Sequence, residues 1–139
     1  MPLREGIANE VYLVTTCDYM ALYAANNICR GIQKYAVTGK IRLGGVIYNE
    51  RSSICDAGPV ELFSRRIGSE IIGRIPMSRA ITEAEIHRKT VVERSPGDPA
   101  GRAFADLAAA ILNNDRRCIP APMTDEEVEG LWNETQGLL

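Results

Sequence analysis

Three short apolar runs alternate with longer amphipathic stretches along this 139-residue chain. Glu10–Thr16 (EVYLVTT), Leu43–Tyr48 and Ile71–Ile75 have the length and the β-branched, aliphatic composition of buried strands. Between the first two, Met20, Ala24, Ile28, Ile32 and Tyr35 recur at three- and four-residue steps, which predicts a long helix with one apolar stripe. Asp18 stands where a helix cap belongs, and Gly39 where a left-handed terminal residue belongs. Asn49–Gly58 reads as a loop. Pro59–Ile67 reads as a helix with proline in its first turn and Gly68 just past its end.

The second half continues the alternation. Ser78 and Thr82 are both suited to cap a helix running to about Lys89. Ser95–Gly101 (SPGDPAG) is a break dense in Pro and Gly. Arg102–Asn113 predicts an Ala-rich helix with Phe104, Leu107, Ala108, Ile111 and Leu112 on one side. After the connector Cys118–Met123, Thr124 and Glu127 form a capping-box pattern for a short acidic helix, Asp125–Thr135. Strands separated by helices predict parallel pairing with right-handed crossovers. The expected fold class is therefore α/β, a small parallel sheet flanked by helices. Three strands leave edges to be managed, so the chain is expected to expose an edge or to pair with another copy.

Composition narrows the function classes without choosing one. The length and 45% hydrophobic content suit a single domain over 1–139. A net charge of −2 predicts no strong attraction to nucleic acid or anionic membrane. No apolar run reaches the ~18 residues of a membrane span, and MPLREGIANE lacks the apolar core of a signal peptide, so the cytoplasm is expected. Cys17, Cys29, Cys55 and Cys118 form no C-x-x-C pair and match no zinc or ferredoxin spacing. In a cytosolic setting disulfides are not expected, and the four read as packing residues or idle thiols. The single histidine, His87, lies on a charged helix and reads as solvated. Phosphate chemistry has no visible motif: no G-x-x-x-x-G-K-S/T occurs, and Gly39-Lys40 follows a helix and is followed by Ile41.

Several stretches carry a resemblance. Pro2–Glu5 (PLRE), Glu10–Val14 (EVYLV), Met20–Ile28 (MALYAANNI), Gly31 with Lys34-Tyr35-Ala36, and Arg42–Gly45 (RLGG) resemble the nitrogenase iron protein family. The likeness runs on through Ala84-Glu85-Ile86, Arg88, Thr90-Val91 and Glu93 and weakens after about Pro96. It is closer to the nitrogenase branch than to the chlorophyll-synthesis reductases of the same fold. The resemblance implies a P-loop-NTPase-like sheet of which these residues match the C-terminal half. It implies an ATP-hydrolysing oxidoreductase that uses ATP or ADP with Mg and a 4Fe-4S cluster shared across a dimer, and that passes an electron to a dinitrogenase-like acceptor. By the same resemblance, the P-loop, the γ-phosphate switch and both cluster cysteines would precede Met1. The chain alone is then expected to be inactive, to bind neither cofactor by itself, and to act with an N-terminal complementing chain or a second copy.

What the resemblance leaves in this chain is the base-recognition end. Asn49, after the strand carrying RLGG, matches the family's adenine-contacting Asn, and Arg51 the Arg that follows it. Pro76 matches the proline of the segment that closes over the base. Glu85 matches, and Thr82 stands where many members have Gln. On pattern alone, an Asn after a strand is a turn residue, a Pro there is a stop, and Glu85 pairs with Arg88 or Lys89 along its helix. The alternatives to an iron-protein-like component are a non-enzymatic interaction or dimerisation module, and a module with residual affinity for adenine compounds.

Overall fold

β1 (Glu10–Thr15), β2 (Arg42–Asn49) and β3 (Ile71–Ile75) lie side by side in that order, all parallel. The computed structural model describes residues 8–51 and 55–137; the PLRE stretch and part of the expected 49–58 loop lie outside the described residues. Helices α1 (Tyr19–Ala36) and α2 (Gly58–Arg66) connect the strands, and α3 (Arg79–Ile86), α4 (Val91–Arg94), α5 (Pro99–Leu112) and α6 (Asp125–Thr135) follow. The parallel α/β architecture expected from the alternation is present.

The pleat divides the apolar residues between two layers. On one face Leu13, Leu43 and Tyr48 pack against Leu22, Cys29 and Ile32 of α1, Val60 and Phe63 of α2, and Val128 and Leu131 of α6. On the other, Ile47 and Ile75 meet Leu107, with Tyr12, Ile72 and Ile111 beside them. Gly73 makes room for the tip of Leu107 in that second layer: a Cβ there would lie 2.6 Å from Leu107 Cδ1, so any larger residue requires that side chain to move.

Asn26 joins the last segment to the first layer. Its side chain is fully buried, donates from Nδ2 to the Met123 carbonyl at 2.7 Å and accepts from the Met123 N–H at 2.8 Å. Arg30 Nη2 reaches the same carbonyl at 3.0 Å and Asp125 at 2.9 Å. Upstream, Cys118 and Leu43 exchange both backbone hydrogen bonds as an antiparallel bridge.

Five expectations are corrected. The buried stripe of α1 is Leu22, Ala25, Cys29, Ile32 and Ala36, while Met20 (66% exposed) and Ile28 (42%) face outward. The helix carries two apolar sets, and the sheet selects one. Gly39 is not left-handed: α1 ends at a right-handed Val37, and the Gly39 N–H returns to Tyr35 O at 3.0 Å. Helix α3 stops at Ile86 because Arg88 adopts φ 55°, with Arg88 N to Glu85 O and Lys89 N to Ala84 O both at 2.9 Å, a Schellman closure. Beyond it Thr90 and Glu93 form a capping box for α4, between the helix expected to about Lys89 and the break expected from Ser95, where no element is expected.

The fourth correction is α5, which begins at Pro99, earlier than Arg102. Asp98 caps it, and its buried seam is Ala100, Leu107 and the neighbouring Ala103 and Ile111, leaving Leu112 85% exposed. The fifth is the cysteines. Cys17 and Cys55 are joined in a disulfide with Cα atoms 6.1 Å apart, within the usual span of such a bond. The residue after β1 and the residues before α2 meet at the same end of a parallel sheet, which sequence spacing does not reveal.

Candidate base-recognition pocket

The pocket is built where β2 and β3 stop together. Asn49 pairs with Ile75 in the parallel register, and the Glu50 N–H donates to the Ile75 carbonyl at 2.9 Å, so the two chains leave the sheet at one level. Arg51 and Pro76 are the residues that emerge there. Ligands of open parallel sheets bind beyond these C-terminal strand ends.

The helices that wall the pocket are held by a shared cap. Ser78 Oγ accepts from Ala80 N at 3.1 Å, starting α3. The same hydroxyl donates to Asp98 Oδ2 at 3.0 Å, and that oxygen accepts from Ala100 N at 2.8 Å, starting α5. Of the two expected caps for α3, Ser78 is the one used, and Thr82 lies inside the helix. The coupled caps set α3, with Thr82 and Glu85, beside the first turns of α5, with Phe104.

The result is a cavity of about 380 Å³ lined by Asn49, Arg51, Pro76, Thr82 and Glu85 together. That volume lies within the ~300–1,000 Å³ range of small-molecule sites. Its apolar lining comes from Ile75, Met77, Ile81 and Phe104. Phe104, Met77 and Ile81 were not anticipated as pocket residues. Phe104 was expected on the core side of its helix; it is 37% exposed and also borders a second cavity against Val91 and Val92. Its only signal in the sequence is an aromatic three positions before the buried Leu107. Among the described residues Glu85 makes no ion pair with Arg88 or Lys89.

Chemically the site offers the Asn49 amide, the Glu50 and Glu85 carboxylates, the Ser78 and Thr82 hydroxyls and the Arg51 guanidinium around an apolar slot. An amide side chain can pair with both a donor and an acceptor of a purine edge, and an aromatic ring can stack on a planar base. The cysteines do not fit a 4Fe-4S cluster, which needs several convergent thiolates. Cys17 is bonded to Cys55, and Cys29 is fully buried with its thiol pushed up to about 12 by desolvation. Among the described residues no three His, Cys, Asp or Glu side chains stand together as a metal site.

Comparison with known proteins places this geometry in context. Residues 1–138 match the family described as 4Fe-4S iron sulfur cluster binding proteins, NifH/frxC family. The chain is 42% identical over 139 residues to the nitrogenase iron protein of Methanococcus voltae, covering all of this chain and 50% of that protein. It is 44% identical over 128 residues to nitrogenase iron protein 2 of Methanothermococcus thermolithotrophicus, covering 92% of this chain and 44% of the relative. The chain thus spans about half the length of the curated relatives it matches. Among solved structures it is similar to the cell division ATPase MinD of Pyrococcus furiosus (TM-score 0.62, 21% identity, 76% of this chain and 43% of that one). It is equally similar to the septum site-determining protein MinD complexed with Mg-ADP from Pyrococcus horikoshii (TM-score 0.63, 20% identity, 76% and 42%). At these identities the likeness is one of fold.

Proposed function

This chain belongs to the NifH/frxC family of iron–sulfur cluster binding proteins, and we propose that it forms the adenine-recognition end of an iron-protein-like, ATP-dependent electron-transfer component. The observation that carries the reading is the convergence of Asn49, Arg51, Pro76, Thr82 and Glu85, drawn from two strand ends and a helix, on one cavity. In this reading Asn49 pairs with the purine edge. Pro76 and Phe104 bound the ring, Thr82 and Glu85 set its far rim, and Arg51 lies toward the ribose and phosphates.

The same reading makes these 139 residues inactive by themselves. Phosphate, Mg and cluster ligands would come from an N-terminal half supplied by another segment or chain, and the electron would go to a dinitrogenase-like acceptor in the cytoplasm. Support comes from the β1 side of the fold. Among the described residues β1 pairs on one side only, and near it Val14 is 64% exposed and Met20 66%. An unpaired edge with apolar residues beside it suits a covering partner. That edge also favours the second reading, a non-enzymatic interaction or dimerisation module.

Calorimetry with MgADP, MgATP and adenosine tests the first reading. Weak binding through the base alone, similar for adenosine and both nucleotides because this reading takes the phosphate ligands from elsewhere, is expected near millimolar concentration and about 5-fold or more weaker in Asn49→Ala and Phe104→Ala, since each removes about 1–3 kcal/mol of base contact. Absence of binding at millimolar nucleotide, with the fold intact by circular dichroism, would reject it. Sedimentation then decides the second: a monodisperse monomer at all concentrations counts against edge-driven pairing.

A further inference from the structure

The disulfide sits at a junction that neither the pocket nor the family likeness explains. Cys17 lies between the end of β1 and Asp18, the cap of α1, and is 2% exposed within the first core layer. Cys55 lies just before α2, packs against the same layer, and keeps part of its surface in solvent. The bond therefore fastens the start of α2 to the β1–α1 corner across 38 positions of sequence. The two residues are unequal: Cys17 is buried and Cys55 keeps part of its surface in solvent, so the Cys55 side is the one open to an incoming thiolate.

The other two thiols are poor competitors for this exchange. Cys29 is fully buried, and desolvation raises its thiol and that of half-buried Cys118, so neither is a ready thiolate. We propose that the Cys17–Cys55 bond is a reversible thiol–disulfide exchange site, opened by a dithiol reductant attacking the Cys55 sulfur, and that its state decides whether the start of α2 is fastened to the β1–α1 corner.

The step balances. The reductant's thiolate forms a bond to Cys55 Sγ, the protein S–S bond breaks, and its electron pair leaves with the Cys17 sulfur, which takes up a proton. The reductant's second thiol then attacks the mixed disulfide, releasing Cys55 as a thiol and leaving the reductant as a cyclic disulfide. Two electrons pass from dithiol to protein. Afterwards Cys17 remains packed in the core as a small apolar side chain, and Cys55 is free.

The test uses the full chain equilibrated in buffers of reduced and oxidised dithiothreitol, without denaturant, then acid-quenched, unfolded and alkylated. Two alkylated cysteines are expected in the oxidised protein and four in the reduced one, with peptide mapping placing the bond at Cys17–Cys55. The transition should be a single two-electron step, retained in the Cys29→Ser/Cys118→Ser double variant and lost in Cys55→Ser. Proteolysis between β2 and α2 is expected to quicken about tenfold on reduction, as a local opening loses its constraint. Four free thiols under every oxidising condition, a bond mapped elsewhere, a bond that yields only after unfolding, or equal cleavage of the two states would each overturn the proposal.

Discussion

Replacing Asn26 with alanine tests how the last quarter of the chain is held to the sheet. Asn26 is fully buried, and Met123, whose backbone it clasps, is 5% exposed. The substitution removes two hydrogen bonds of 2.7 and 2.8 Å, each worth about 1 kcal/mol net. The two ends of the clasp then fare differently. The Met123 carbonyl keeps the bond from Arg30 Nη2 at 3.0 Å. The Met123 N–H keeps nothing and stays in the core, adding about 1–3 kcal/mol for an unpaired buried donor. The expected loss is about 3–5 kcal/mol, a large share of the ~5–15 kcal/mol that holds a typical domain together. Asn26→Leu should lose nearly as much, because restoring volume does not pair the N–H. Arg30→Ala should lose less, about 1 kcal/mol, because its pair with Asp125 is half-exposed on both sides and the Met123 carbonyl it also reaches keeps the bond from Asn26. Urea unfolding followed by fluorescence of Trp132, the sole tryptophan, reads this directly, since its ring meets Tyr19 of α1 edge-on at 6.4 Å. Should Asn26→Ala lie within 1 kcal/mol of the parent at unchanged denaturant slope, the clasp does not hold α6 and the reasoning fails.

Three other outcomes follow from the geometry. Arg88→Gly should stabilise the chain by about 1 kcal/mol, seen as a thermal midpoint a few degrees higher, because Arg88 is held at φ 55° where glycine is unstrained. Ser78→Ala should destabilise by about 1–2 kcal/mol and weaken any adenine binding, because one hydroxyl caps α3 and steadies Asp98 at the head of α5; a cap loss with unchanged affinity would separate the helices from the pocket. The Asp18 carboxyl is held below its ordinary 3.8 by the Thr16 hydroxyl and then the Ala21 N–H, against the opposing effect of desolvation. Its contribution is therefore complete above the ordinary value and lost as pH falls through the lowered one. Urea midpoints followed downward from about pH 5 should show a shallower acid limb in Asp18→Asn, with the exposed position keeping the difference small.

Much of the fold is legible in residue order because local and global signals agree there. Glu10–Thr15 and Leu43–Tyr48 are strand-like in composition, and Asp18 and the Thr124–Glu127 box start helices where they stand. The failures share one cause. In α1, Met20-Ala24-Ile28 and Leu22-Ala25-Cys29 are both apolar series at helical spacing, and nothing within the helix says which one the sheet covers. At Arg88 a charged residue takes the left-handed turn that propensity assigns to glycine, while Gly39, the residue propensity favours, does not. The disulfide is the same problem at longer range: compartment reasoning excluded it, and only the strand register brings position 17 to position 55.

The pocket divides along that line. Asn49 ends one strand and Pro76 follows its parallel neighbour, and Asn49 pairs with Ile75 at the shared C-terminal edge, so their meeting follows from the α/β pattern. Thr82 and Glu85 require in addition that α3 start at Ser78, a cap the local sequence offers. Phe104 requires more still. Its place depends on α5 beginning at Pro99, on Asp98 being shared with Ser78, and on Gly73 admitting Leu107 to within contact of the strand. The first wall thus follows from the strand register and the second from a local cap, while the aromatic wall rests on two contacts between distant positions, Ser78 with Asp98 and Gly73 with Leu107. A single residue without a motif, placed by a helix start and two tertiary contacts, is where pattern reasoning ends and coordinates are needed. That ordering also yields a test away from the pocket: Gly73→Ala touches no pocket residue, yet by pushing the tip of Leu107 it should weaken adenine binding in calorimetry by less than Asn49→Ala does, and an unchanged affinity would show that Leu107 does not set the place of Phe104.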